Sequence, residues 1–332
     1  MFFNCCIDFA MRFNVVNMFY NIFLLMKEGR NNRLSTVIML LITVVATLSV
    51  ASCRGSSNGN ADNEVTVAVS IPPLKYFAEA IGGDSVNVVS LLNENSDPET
   101  FQPGVSTFRA IAGSRVFLGV GVLPFEEALL GNLKANNPDL KIKDVSAGIE
   151  LIYGTHSHAG VEHDGHSNDV GEADPHIWSS VKNARVIARN VLDALTEADP
   201  SNEVYFRERY DRFSERLDSF DMACSRKLEA LPSRNFAIWH PSLSYLARDY
   251  GLRQIAFNLE NKETSSVRLG DQIDKAKEAR LSAFFVPAGI NDSQTKVIAQ
   301  EIGLPPVTIN PMSGQWDVEI NKIVNALAAS AE

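Results

Sequence analysis

The chain has 332 residues, 45% of them hydrophobic and 21% charged, which supplies enough apolar material for a sizeable core and too much for a mainly disordered chain. That length suits about two domains. With 30 Lys and Arg against 40 Asp and Glu, the net charge is −10. This argues against a nucleic-acid partner, whose phosphates must be met by excess positive charge.

The first element is expected to be a targeting segment rather than part of the fold. Arg30 and Arg33 precede an apolar run from Leu34 to Leu48, which leads into Val50-Ala51-Ser52-Cys53. A basic flank, an apolar stretch and small residues before a cysteine resemble a bacterial lipoprotein signal. The resemblance implies lipid on Cys53 and anchorage in the cell envelope outside the cytoplasm, on the periplasmic side in a two-membrane bacterium. The run is short for a membrane span. Residues 1–52 are thus read as a signal segment and 53–63 as a lipidated polar tether. Met26 gives a basic flank of more ordinary length than Met1, so residues 1–25, with Cys5 and Cys6, are expected to reflect a misplaced start. Cys224 then remains as a lone thiol, read as a small buried apolar residue.

From Glu64 onward, strand and helix patterns alternate. Val65, Val67 and Val69 have a period of two, Pro72 to Ile81 reads as a helix, and Val86 to Leu92 as a second strand. A helix at Thr107 to Ala112, a strand at Val116 to Val120, a helix at Phe125 to Leu133 and a strand near Lys141 to Val145 follow. Further on, short apolar runs at Phe236 to Trp239, Gln254 to Phe257, Ala283 to Val286 and Val307 to Ile309 are separated by segments with helical spacing. Such alternation predicts an α/β protein with two parallel-sheet units.

Between the units lies a long helical pattern from about Asn202 to Leu231. Phe206, Tyr210, Phe213, Leu217, Phe220, Cys224, Leu228 and Leu231 recur at spacings of three or four, with charged residues elsewhere, so one face is buried. Asp199-Pro200-Ser201 supplies a start signal and Pro232 a stop. A helix of this length runs about 45 Å, longer than one small lobe, and is read as a linking helix in preference to the core helix of one domain. The expected organisation is an amino-terminal lobe at 64–198, the linking helix at 199–232 and a carboxyl-terminal lobe at 233–332.

The six histidines fall into two groups. His156, His158, His163 and His166 lie in a Gly- and acid-containing stretch without apolar period, within a loop spanning 154–173. Neutral imidazoles are preferred ligands of zinc and its neighbours, so this loop is read as an auxiliary metal-capturing segment rather than as a solvated loop of accidental composition. His176 and His240 each sit at a turn just after or beside a strand, each next to a proline and within two residues of a tryptophan. Singly, each reads as a satisfied structural histidine; as a pair from two units whose carboxyl strand ends face one cleft, they read as metal ligands. Two imidazoles need further donors, with an anion to offset the charge. Glu99, after the strand ending near Leu92, is the candidate. Asn310, after the last strand, is either a weak fourth ligand or a turn residue before Pro311.

From about Glu64 to the end, the chain resembles the solute-binding lipoproteins of zinc and manganese ABC importers. The residues that carry this are Asp174-Pro175-His176-Ile177-Trp178, then Asn183-Ala184 and a helix from Ile187 to Leu195, Asp199-Pro200-Ser201-Asn202, and His240-Pro241-Ser242-Leu243-Ser244-Tyr245 running on to Asp249-Tyr250-Gly251-Leu252. A histidine-rich loop ahead of Asp-Pro-His is similar to the zinc-specific branch. The resemblance implies two α/β lobes bridged by a long helix with metal in the cleft between them, an ABC-importer permease as partner, and no enzymatic activity. Two positions depart from the family pattern. Glu99 stands where a His-x-Tyr-x-Pro histidine is usual, and Asn310 where an Asp before Pro is common. The carboxylate shifts preference toward manganese or ferrous iron, whereas the histidine loop favours zinc, and Zn2+ is the expected cargo.

A metal-dependent hydrolase is the competing class. It needs a general base beside an open coordination position, and neither His-Glu-x-x-His nor a Gly-x-Ser-x-Gly elbow is present. A surface adhesin with a structural metal is a third reading, separated from transport by metal exchange without loss of fold. Deleting residues 155–167 is expected to slow metal capture while tight equilibrium binding persists, as measured by stopped-flow mixing alongside equilibrium titration.

Overall fold

In the computed structural model, which describes residues 64–154, 172–257, 266–290 and 293–329, both halves of the alternating pattern become parallel sheets. Cys53 and the expected signal and tether segments lie outside the described residues, as do His156, His158, His163 and His166. Among the described residues no helix is long and apolar enough to cross a membrane.

The first sheet is built from β1 (Val65–Val69), β2 (Val86–Ser90), β3 (Val116–Gly119) and β4 (Lys141–Asp144), in the order β2-β1-β3-β4 with every pairing parallel. The connecting helices are α1 (Pro72–Gly82), α2 (Val105–Ala112) and α3 (Pro124–Asn136). Pro72 and Pro73 open α1, where their fixed φ suits a first turn that needs no donor. The helix buries Leu74, Phe77, Ala78 and Ile81, one stripe at helical spacing. It stops at Gly83, whose φ of 53° suits a residue without a side chain. A Cβ there would also lie 2.5 Å from the Tyr205 hydroxyl. β2 is shorter than its apolar run because the Ser90 hydroxyl donates to the carbonyl of Leu92 (2.8 Å), which turns the chain out of the ladder.

The second sheet repeats the winding. It contains β5 (Asn235–Ile238), β6 (Arg253–Ala256), β7 (Leu281–Pro287) and β8 (Pro306–Ile309), in the order β6-β5-β7-β8, again all parallel. Between the sheets the chain forms α4 (Val181–Ala198) and α5 (Glu203–Glu229). Within and after the second sheet come α6 (Ser244–Tyr250), α7 (Ser266–Glu278), α8 (Ser293–Ile302) and α9 (Trp316–Ala328). α4 starts earlier than its apolar pattern suggests, because the Ser180 side chain accepts from the amides of Lys182 and Asn183 and satisfies the first turn.

The predicted long helix is α5, whose 27 residues span about 40 Å. Its buried stripe of Phe206, Phe213, Leu217, Cys224 and Leu228 packs against α1 and α4 on one side and against α9, which covers the second sheet, on the other. One continuous hydrophobic core therefore runs from β1 through α1, α4 and α5 to Phe236 and Phe285 of the second sheet and on to α9. Separate small clusters cover the far face of each sheet. Cys224 is buried, and burial pushes its thiol up to about 11, so it remains protonated and unreactive.

Two indoles fasten the halves. The Trp316 ring nitrogen donates to the carbonyl of Trp178 (2.6 Å), and the Trp178 ring nitrogen donates to the carbonyl of Pro311 (2.7 Å). The Trp316 ring lies 5.1 Å from that of Phe77 and 5.9 Å from that of Phe220. Trp316→Ala should destabilise the fold by about 3 to 5 kcal/mol. Trp316→Phe should cost markedly less, losing mainly the hydrogen bond, about 1 kcal/mol. Urea unfolding of the two variants measures both.

Candidate metal centre

Each of the two clustered histidines is placed by the structure around it. β5 lies inside the second sheet with Phe236, Ala237 and Ile238 fully buried. The ladder continues one step further, with Trp239 N donating to Phe285 O (2.9 Å), and the chain turns at His240-Pro241. His240 thus stands at the carboxyl edge where the paths from β5 and β7 diverge, the usual place for a ligand in such sheets.

His176 reaches the same point from a different kind of segment. It is not beside a sheet strand, as its sequence neighbours suggested, but in the connector between β4 and α4. That connector is held by an isolated bridge between Tyr153 and Ala173 and by Asp174 N donating to Ile152 O (2.8 Å). The connector carries no strand pattern because its anchors are individual polar contacts. Asp174 Oδ1 accepts from His176 N and faces His176 Nδ1, both at 2.9 Å. A carboxylate on Nδ1 fixes the ring so that the Nε2 lone pair points outward. The carbonyl of Asp174 accepts from the Tyr245 hydroxyl (2.7 Å), which in turn receives Ile152 N (3.2 Å). Burial pushes the Tyr245 phenol up to about 12, so the hydroxyl remains a donor at neutral pH.

Glu99 sits in a polar turn. Its amide donates to Asp97 Oδ1 and the Thr100 hydroxyl to Asp97 Oδ2, both at 2.9 Å, a side-chain-stabilised turn of the Asx kind. Glu99 Oε1 is 3.4 Å from His240 Nε2 and 3.7 Å from His176 Nε2. The imidazole centroids are 5.2 Å apart, and one ligand atom from each of the three residues lies within 4.8 Å of the others. Donors on bonds of about 2.0 to 2.1 Å at tetrahedral angles are about 3.3 to 3.4 Å apart. The Glu99–His240 spacing equals that value and the Glu99–His176 spacing is slightly longer, so the three side chains could close on one small ion.

His176 and His240 line a cavity of about 230 Å³ whose other walls come from both lobes, with Glu94, Asp97 and Trp178 from the first part of the chain and Trp239, Ser242 and Met312 from the second. The Trp178 ring lies 5.2 Å from His176 and screens it from water. Asn310 lines the same cavity, but its amide oxygen accepts Met312 N (3.1 Å) and its own N–H donates to Glu319 (2.7 Å). Its principal work is therefore that of a turn residue. Glu94 Oε1 accepts Gly314 N (2.8 Å), joining the loop after β2 to the turn before α9.

The sequence matches the profile of the ZnuA family, the periplasmic component A of a zinc-uptake complex, over residues 67–326. The chain belongs to this family. A putative metal-binding protein of Treponema pallidum is 26% identical over 283 residues, which cover 83% of this chain and 89% of that protein. The zinc-binding lipoprotein AdcA of Streptococcus pneumoniae is 24% identical over 281 residues, 83% of this chain but 55% of AdcA, so the chain spans about half of that relative's length. Among solved structures, a zinc-bound ZnuA deletion mutant has a TM-score of 0.71 at 31% identity, covering 81% of this chain and 98% of the other.

Sequence reading of this ZnuA-family chain overlooked the supports behind the ligand candidates. Asp174 carried a usable signal, an Asp two residues before a histidine, the spacing at which a carboxylate caps a local turn. Tyr245 carried none, since its contact spans 71 residues. Asp174→Asn should lower zinc affinity by about 10- to 100-fold by loosening the ring of His176. Isothermal titration of the variant against the parent chain reads this directly.

Proposed function

We propose that this chain captures a divalent transition metal, Zn2+ in the first instance, outside the cytoplasm and delivers it to the permease of an ABC-type importer. The observation that carries the reading is the meeting of Glu99, His176 and His240, residues far apart along the chain, with one ligand atom from each within 4.8 Å of the others. The supporting family is named for zinc uptake, and AdcA and the zinc-bound ZnuA deletion mutant are zinc proteins by name. This is a binding role rather than a catalytic one.

In this reading Glu99, His176 and His240 hold the ion. Two imidazoles and one carboxylate are an accepted donor set for zinc. Two neutral rings with one carboxylate leave the bound dication a net charge of +1. Asp174 and Tyr245 position His176, Asn310 shapes the adjoining turn, and His156, His158, His163 and His166 serve as an auxiliary capture segment. The chain is anchored by lipid on Cys53 after removal of its signal segment. The carboxylate at position 99 favours a second cargo, manganese or ferrous iron, because a hard oxygen donor replaces an imidazole.

His176→Ala and His240→Ala should each abolish tight zinc binding in equilibrium titrations, and retention of tight binding by either would place the ion elsewhere. Cargo identity is read by elemental analysis of protein recovered from its native envelope without chelators. Zinc should predominate in the parent chain, and Glu99→His should lower any manganese or iron content further. Predominant manganese or iron in the parent would assign the protein to the second cargo.

A further inference from the structure

Glu99 is carried by the segment between β2 and α2, and its place depends on what holds that segment. The hydrogen bonds to Asp97 shape the turn from within without fixing it to the lobe. At one end the segment is tied to the second part of the chain, where Glu94 Oε1 accepts Gly314 N in an exposed contact. At the other end Phe101, half-buried against the main core, meets the edge of Phe125, with ring centroids 5.1 Å apart and planes at 83°. That geometry is favourable for two aromatic quadrupoles. Phe125 is itself firmly placed. It is 3% exposed, in the first turn of α3. The next side chain, Glu126, is buried and accepts the amides of Val120 and Gly121, both at 2.7 Å. Those amides follow β3 directly, so a buried carboxylate ties the start of α3 to the end of an interior strand.

We propose that Phe125 is a positioning residue for the metal centre, holding Glu99 in place through its ring contact with Phe101. The inference rests on the donor role assigned above to Glu99. Two residues of chain span at most about 7 Å, so a ring fixed at position 101 confines the carboxylate at position 99 to a short arc. Within that arc Glu99 Oε1 lies 3.4 Å from His240 Nε2 and 3.7 Å from His176 Nε2. A site loses definition when a donor drifts by more than about 0.5 Å, so freedom gained at Phe101 is felt at the ion. His176 and His240 are placed by other elements, the connector before α4 and the end of β5, so releasing Phe101 acts on Glu99 alone. Phe125 has no metal-ligating atom, and neither ring is among the residues that line the cavity. Its effect on an ion must therefore pass through the turn.

Equilibrium zinc titration in a double-mutant cycle tests this. Phe125→Leu removes the edge contact while keeping an apolar side chain, and should weaken zinc binding about three- to tenfold. In a Glu99→Ala background, where the turn carries no donor to position, the same substitution should change affinity by less than about twofold. Phe101→Leu probes the contact from its half-buried side and should show the same dependence on Glu99, which keeps the test available should Phe125→Leu not fold. In cobalt-loaded protein, Phe125→Leu should move the visible ligand-field bands toward those of Glu99→Ala, a change that loss of global stability does not produce. An equal loss of affinity in both backgrounds, or no loss in the parent background, would overturn the inference while leaving the proposed function standing. Unchanged zinc affinity in Glu99→Ala would overturn the donor role of Glu99 and the inference with it.

Discussion

The site depends on a constraint that is not in the site. Glu99 and His176 belong to the first part of the chain and His240 to the second, so their spacing is only as definite as the relative placement of the two sheets. That placement is fixed by a shared core. α5 buries one stripe against helices from both halves, and the paired indoles of Trp178 and Trp316 exchange hydrogen bonds with backbone carbonyls across the junction. Buried apolar surface supplies the adhesion, while the two directional bonds fix the register. Interiors packed to crystal-like density transmit displacement rather than absorb it, so the cleft has little freedom to change width without breaking that core.

Within this frame, each donor is held by a different local device. His240 is at the end of a fully buried strand. His176 is oriented by the carboxylate of Asp174, itself steadied by Tyr245 from α6. Glu99 is carried on a short turn whose stabilising hydrogen bonds are exposed. Orientation by a supporting shell, more than the ligands alone, gives a metal site its definition.

Much of this was legible in the residues. The alternation of short strand-like runs with helical spacing located all eight strands, the most deeply buried of which, such as β3 and β7, read as continuous hydrophobic segments, and the three- and four-residue spacing from Phe206 to Leu228 gave the long helix. Both histidines and Glu99 were legible as candidates from their places beside turn signals, and the structure brings the three side chains together. What escaped was non-local or irregular. The connector carrying His176 has no period to detect. Tyr245 is linked to Asp174 by a contact of long sequence separation, and the end of β2 is decided by one serine hydroxyl rather than by the apolar pattern. Asn310 could be narrowed to two roles but not resolved, since an amide before a proline serves equally well as ligand or turn-former until its hydrogen bonds are known.

In the proposed metal-binding role, the unequal anchoring of Glu99, His176 and His240 would set an order of departure. With the lobes welded through a common interior, wide jaw-like opening is costly, and the softest coordinate is the polar turn bearing Glu99. Tugging that turn outward would strip the sole anionic donor of the triad and leave the dication on two neutral rings, a much poorer hold. Unloading by that route would need only a loop-sized movement, with the scaffold behind it staying still.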